Sequence, residues 1–287
     1  MARYIVLFFF GLAVGSFTNV VILRYLGGEK LLKNVKRLGG RSHCPHCRKQ
    51  LSWYELVPVI SFIIQGGKCR KCGKPISWQY PIVELISGLI FIFIPYQLLN
   101  YQLLGIAIWI VIFLLFLILA IIDFRNYIIP DEVTIALGFL GLILILTQVI
   151  NGAFSPVSSE FFKSYALLFG LRGNVLLNYL IAAVMGGGFF SAIILLSRGR
   201  AMGWGDAKLA LALGLIFGWP EILMVLSLSF ITGAVFGIGL ILRGRKTLKD
   251  RVPFGPFLVL GALLTFFFSY PIIHAYFSFF NSFIVIL

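Results

Sequence analysis

The stretch Leu103-Leu-Gly-Ile-Ala-Ile-Trp-Ile-Val-Ile-Phe-Leu-Leu-Phe-Leu-Ile-Leu-Ala-Ile-Ile-Asp123 decides the fold class. It runs from Leu103 to Ile122 without a charge and then stops on a carboxylate. A helix needs about 20 apolar residues to cross the ~30 Å hydrocarbon core of a bilayer. Within lipid such a segment must be helical, because every backbone N–H and C=O has to find its partner inside the segment. Comparable runs occur at roughly Tyr4–Leu23, Tyr80–Leu98, Val133–Ile150, Val175–Leu196, Leu209–Phe217, Ile222–Leu242 and Phe257–Pro271. The chain therefore reads as an all-α polytopic membrane protein with about eight transmembrane helices. The sixth run is short enough to be half a span, and the apolar tail Ile272–Leu287 either extends the eighth or lies in the interface. Composition agrees: of 287 residues, 60% are hydrophobic and 12% charged, too few charges to clothe a soluble domain. No small-residue cleavage signal follows the first run, which is read as a retained helix.

Basic residues set the orientation. Twelve of the 24 Lys and Arg lie between Arg24 and Lys74, and others cluster at Arg198/Arg200 and from Arg243 to Arg251, with Arg125 after the third run. These are alternate loops. The remaining loops hold only Lys163 and Arg172. The positive-inside rule puts the Arg24–Lys74 loop in the cytoplasm and both termini outside. Topology and attraction to anionic lipid account for the net charge of +14, so no nucleic-acid partner is needed.

All four cysteines lie in that loop, as Cys44-Pro-His-Cys47 and Cys69-Arg-Lys-Cys72, with 21 residues between the pairs. Four thiolates in two C-x-x-C pairs suit a closed tetrahedral zinc site, and four protein ligands leave no open position for water, so the site would be structural. Two disulfides or free thiols are the alternative, and a reducing cytoplasm disfavours disulfides. His43 and His46 could replace a ligand or simply be solvated.

The carboxylates call for the same weighing, because only ten acidic residues occur in the chain. Asp123 ends one apolar run, and Gly203-Trp204-Gly205-Asp206 opens another. Ionisable groups at a membrane edge are costly, and the default reason for them is function. Asp123 could be a surface charge paired with Arg125, and Asp206 a helix N-cap. Together, at one face on different helices, they form a candidate aspartyl dyad. Gly203 and Gly205 would allow a tight backbone beside Asp206 and room for a substrate chain. Asp131 and Glu132 sit at the same face and are read as solvated or N-capping groups. Other schemes lack parts: His274 falls on the far side, no H-E-x-x-H occurs, and no P-loop occurs.

With these residues in view, the chain resembles the type IV prepilin peptidases, the leader-peptidase family of GxGD membrane aspartyl proteases. The matching stretches are Gly15-Ser-Phe-Thr-Asn19-Val-Val-Ile22 with Arg24, the two cysteine pairs, Tyr80-Pro-Ile-Val-Glu84-Leu85, and Asp123 through Ile129-Pro130-Asp131. They continue with Gly203 through Leu209 and with Pro253-Phe-Gly-Pro-Phe257, in family order from about residue 11 to 260. Thr18 departs from the more apolar residue expected there, and the Gly27–Gly40 stretch is longer than expected.

The resemblance implies an enzyme of the bacterial inner membrane that cuts the basic leader from type IV prepilins and pseudopilins at the cytoplasmic face. It also implies N-methylation of the new terminus from S-adenosylmethionine. By the same resemblance, residues 1–100, with the cysteine loop, would be the methyltransferase part and residues 101–287 the transmembrane peptidase core. No glycine-rich Rossmann signature supports an S-adenosylmethionine site from the residues themselves.

In a dyad one carboxylate acts as base on water while the other, protonated, polarises the scissile carbonyl. Helix direction suggests Asp206, at the positive end of its helix with Lys208 near, as base, and Asp123 as acid. Glu84 is either a buried partner of a basic residue such as Arg24 or a cofactor or amine contact, with Asn19 facing it. A membrane scaffold or transporter using the aspartates as ion ligands is a rival, although transporters place such groups near the midplane. Another GxGD protease, without methylation, is a nearer rival that leaves the cysteine pairs unexplained.

Overall fold

The computed structural model describes residues 2–25, 40–99, 101–151, 174–245, 247 and 250–284. Most of the basic stretch 27–40, the loop 152–173, Lys246, Lys249 and the last three residues lie outside the described part. The described helices are α1 (Ala2–Arg24), a 3-10 turn (Trp53–Leu56), α2 (Ile60–Ile64), α3 (Gln79–Gln97), α4 (Leu103–Asn126), α5 (Asp131–Asn151), α6 (Val175–Leu196), α7 (Trp204–Phe217), α8 (Glu221–Leu242) and α9 (Gly255–Ile284).

Each apolar run is helical, and the number that spans the bilayer is bounded from below by length and composition among the described residues. Six helices (α1, α3, α4, α5, α6 and α8) are long and apolar enough to cross a membrane. Helix α7 has 14 residues, or about 21 Å, which falls short of a ~30 Å core. The apolar part of α9 among the described residues is Gly255–Ser269, also short.

The chain divides into two compact units, Met1–Ile122 and Asp123–Leu287. In the first, α1 and α3 pack through small residues. A Cβ on Gly11 would lie 2.9 Å from the Gly88 Cα, and one on Gly15 would lie 2.7 Å from the Glu84 Cα. Between membrane helices the driving force is close packing, and glycine lets the backbones meet. The Asn19 Nδ2 then donates to the Tyr80 carbonyl at 3.1 Å.

In the second unit α7 is the buried element. Ten of its residues from Asp206 to Phe217 are buried. A Cβ on Gly214 would come within 2.5 Å of the Ala183 Cα on α6, and a Cβ on Gly141 of α5 would lie 3.0 Å from the Leu215 Cβ. The turn from α7 to α8 is clamped by Asn178, which accepts from the Trp219 N–H at 3.0 Å and donates to the Trp219 carbonyl at 2.8 Å. A short interior helix needs this support, because its ends expose unpaired backbone groups.

Candidate active site

Asp123 and Asp206 are brought to the same place from distant parts of the chain. Asp123 sits in the last turn of α4, and Asp206 is the third residue of α7. Both are buried, with 4% and 9% of their surface exposed. The Gly255 N–H, at the start of α9, donates to the Asp123 Oδ2 at 3.0 Å. The Gly203 N–H donates to the Asp206 Oδ2 at 3.2 Å, so this carboxylate caps its own helix. The surroundings of the two acids are joined by Ile129, whose side chain lies beside both Gly205 and Gly255.

Ile129 locks the arrangement. A Cβ on Gly205 would lie 3.0 Å from the Ile129 Cβ, and one on Gly255 would lie 3.4 Å from its Cδ1. A Cβ on Gly255 would also press to 2.6 Å from the Asp123 Oδ2, so any larger residue there would displace the carboxylate or the start of α9. At Gly203 the only side-chain neighbour within 4 Å among the described residues would be the Asp206 Oδ2, at 3.8 Å. The tight backbone expected at both glycines of the motif is therefore required at Gly205, whereas Gly203 leaves open space beside the carboxylate.

Two sequence expectations change. Lys208 does not lie against Asp206 with its amine; the Nζ pairs with the Asp131 Oδ1 at 2.8 Å on the exposed surface. Asp131 is the first residue of α5 and is held by that pair. The dipole argument also weakens, because Asp123 meets the positive N-terminus of α9 through Gly255. Both acids thus accept a helix N-terminal N–H, and the axes of their own helices no longer separate them.

Sequence reasoning assigned no aromatic a role, yet Phe254 leads directly into Gly255. Its ring lies 5.0 Å from Phe230 and 5.8 Å from the fully buried Phe190, a cluster that backs the Asp123 side of the site. Glu221, 2% exposed at the start of α8, was also missed. The only signal for it was an acid in a first turn after Trp219-Pro220.

The four cysteines form a compact cluster. Their sulfurs all lie within 4.8 Å of one another, with Cys44–Cys72 at 4.0 Å and Cys47–Cys69 at 3.9 Å. A tetrahedral ion with ~2.3 Å bonds to sulfur requires about this spacing, and all four thiols are free, which removes the disulfide alternative. The two knuckles repeat one design. The Arg48 N–H returns to the Cys44 carbonyl at 2.9 Å and the Gly73 N–H to the Cys69 carbonyl at 2.8 Å, with Arg48 and Gly73 both at positive φ. The Cys69 thiol is pushed down to about 6 by the Cys72 and Lys71 backbone N–H groups. His43 and His46 are exposed and stand outside the cluster. These four residues can hold a metal ion.

Glu84 and Asn19 share the first unit with that cluster. The Glu84 Oε2 accepts from the Val59 N–H at 2.7 Å. The Asn19 Oδ1 and Ser87 Oγ are buried with no hydrogen-bond partner among the described residues.

Comparison with known proteins now identifies the chain. Residues 9–98 match the bacterial peptidase A24 N-terminal domain, and residues 110–238 match the type IV leader peptidase family. A prepilin leader peptidase/N-methyltransferase of Bacillus subtilis is 30% identical over 94% of this chain and 96% of its own length. The chain belongs to the type IV leader peptidase family. A Legionella pneumophila relative of the same description is 28% identical over 95% of this chain and 94% of its own. One from Burkholderia pseudomallei is 32% identical over 91% and 84%. No solved structure matches. With six membrane-length helices, this leader-peptidase relative is a multi-pass membrane protein.

Proposed function

We propose that the chain is an aspartyl endopeptidase of the bacterial inner membrane. It removes the basic leader of type IV prepilins or pseudopilins at the cytoplasmic face and then N-methylates the new terminus. The observation that carries the peptidase half is the convergence of two buried carboxylates, Asp123 and Asp206, each oriented by one backbone N–H, with Ile129 packed beside both Gly205 and Gly255.

In this reading the dyad shares one proton, because two neighbouring carboxylates do not both ionise readily. The ionised member takes a proton from water. The protonated member donates its proton to the scissile carbonyl oxygen as that water attacks. The first member then passes the proton taken from water to the leaving amine, while the collapsing diol returns a proton to the second. Which acid takes which part is left to the bound substrate. Gly203 leaves the space beside Asp206 into which an extended chain can lie, and Gly205 and Gly255 keep the carboxylates in register. Incubating the purified protein with a prepilin-like peptide and reading the products by mass spectrometry tests both halves. An intact peptide would remove the peptidase.

We place the methyltransferase part in residues 1–100 and the peptidase core in residues 101–287. S-adenosylmethionine, when bound, supplies the methyl group. Asn19 and Glu84 would hold the cofactor or the amine. Their surroundings fit a polar cationic group, since the Asn19 Oδ1 is buried and lacks a donor. Glu84 can position the new amine or accept its proton. The expected result is that Glu84→Gln still cuts the leader but methylates at least about ten-fold more slowly. Asp206→Asn should still methylate a pre-cleaved peptide. In Glu84→Gln the side-chain amide retains an acceptor for the Val59 N–H, so packing is expected to survive. Equal loss of cleavage and methylation in Glu84→Gln would make the residue structural.

The metal assigned to Cys44, Cys47, Cys69 and Cys72 is zinc in a structural role. Folding of such sites is driven by the metal itself. Cys44→Ser should lower bound zinc from about one ion per chain to well under half and open the 40–78 loop to proteases. Elemental analysis and limited proteolysis read this directly. A protein that holds no zinc, with a loop that still resists protease, counts against the assignment.

A further inference from the structure

The segment between the two knuckles carries apolar side chains that the loop leaves uncovered. Trp53 is 80% exposed, Ile63 69%, Ile64 68% and Trp78 70%, and α2 has no buried residue. A loop standing in water would turn such residues inward, and contiguous exposed apolar surface marks an interaction site.

The depth of this segment follows from its hydrogen bonds. The Val59 N–H, just ahead of α2, donates to Glu84 at 2.7 Å. Glu84 is the sixth residue of α3, so it lies about 8 Å along that helix from Gln79. Helix α3 is long and apolar enough to cross the membrane. Helix α2 therefore begins alongside the first turns of a span. Its middle is fixed there too, with the Phe62 ring 5.0 Å from Trp78, which immediately precedes α3.

The backbone is bent to achieve this. Val59 has φ 59° and ψ −51°, and the Ile60 N–H closes on the Pro58 carbonyl at 2.5 Å. A β-branched residue in a γ-turn of this hand is strained, and such strain persists where the surroundings over-determine it. Here the turn aims the Val59 N–H at Glu84 and leaves Ile60, Ile63 and Ile64 facing outward.

The charge around the segment is of one sign. Residues 41–78 hold seven Lys and Arg and one acid, Glu55. Glu55 is buried and tied to the Lys49 Nζ at 3.0 Å and to the Ser52 N–H at 2.9 Å. The exposed surface is thus apolar and cationic, with Arg48, Lys68, Arg70 and Lys71 on the flanking knuckles. A basic leader peptide would be repelled by these groups, whereas anionic headgroups over acyl chains complement both features.

We propose that the 57–64 segment is a membrane-interface anchor: Ile60, Ile63 and Ile64, flanked by Trp53 and Trp78, enter the headgroup–acyl boundary of an anionic bilayer while the knuckle cations hold its headgroups. The anchor fixes the cysteine module against the surface from which a membrane-embedded substrate presents its N-terminus. It stands independently of the dyad and of methylation.

The test uses the unmodified full chain in vesicles and a lipid-soluble carbene photolabel, with labelled residues located by mass spectrometry. Residues 60–64 should label about as strongly as Phe93, a half-exposed position further along α3, and at least about three-fold more than residues 41–50. Labelling at 60–64 should fall about three-fold when phosphatidylglycerol is replaced by phosphatidylcholine. Labelling no stronger than at 41–50 overturns the anchor. So does indifference to lipid charge. Loss of the label when a prepilin-like peptide is added, or when the protein is concentrated in the bilayer, would assign the face to substrate or to a second copy instead.

Discussion

Asp123→Asn and Asp206→Asn should each reduce leader cleavage to below about 1% of the unmodified protein, with expression and membrane insertion unchanged. General acid–base groups contribute about 10²- to 10⁴-fold. In a pair that shares one proton, loss of either member removes both roles, so the two variants should be equally inactive, and the double variant scarcely worse. The asparagine amide is near-isosteric and keeps an oxygen to accept from Gly255 or Gly203. Folding should therefore survive and the assay should report chemistry. Asp131→Asn is the control. Its carboxylate pairs with Lys208 on the exposed surface, where an ion pair contributes little, and cleavage should stay within about two-fold. Retention of more than a few per cent of activity by either dyad variant would refute the pair. Inactivation by Asp131→Asn to the same degree would move the catalytic assignment.

Gly255→Ala should lower cleavage by about 100-fold without unfolding the protein. The added methyl would sit 2.6 Å from the Asp123 Oδ2, closer than any Cβ is normally found, and 3.4 Å from Ile129. Either the carboxylate turns away or the start of α9 retreats. In both cases the Gly255 N–H loses its 3.0 Å bond to Asp123. A displacement of about 1 Å in a catalytic group can cost about two orders of magnitude in rate. Gly237→Ala is the matched comparison, since a Cβ there meets nothing within 4 Å, and it should cleave normally. Full activity in Gly255→Ala would mean that the Asp123–Gly255 contact does not set the geometry of the site. A collapse of helical content would mean that the substitution acts on folding instead.

Much of the site could be read from spacing because it is written locally. Cys44, Cys47, Cys69 and Cys72 are two short repeats, and a C-x-x-C pair brings its two sulfurs together by turn geometry alone. Only the meeting of the two knuckles needed the fold. Asp206 was visible because Gly203 and Gly205 flank it, and Asp123 because a carboxylate ends a long uncharged run. The partner of Lys208 was not legible in the sequence, for the opposite reason. Lys208 and Asp206 are two residues apart on a helix and do not face each other, whereas Asp131, 77 residues away, lies within reach across the surface.

The sequence by itself determined that this is a helical membrane protein, which of its segments are apolar enough to enter lipid, where the four cysteines that can hold a metal lie and which two carboxylates are out of place. Lipid forbids unpaired backbone groups, so composition and run length leave few choices of local structure. Tertiary structure alone decided that α7 is a short buried helix, since its 14 residues look apolar whether they face lipid or protein. It decided that Gly255, 132 residues from Asp123, supplies that acid's hydrogen bond. It also decided that Glu84 bonds the strained turn at Val59. These three facts depend on which backbone donors and small residues meet between distant helices. Hydrophobic patterning specifies that a surface is buried, and close packing at individual glycines selects what it is buried against.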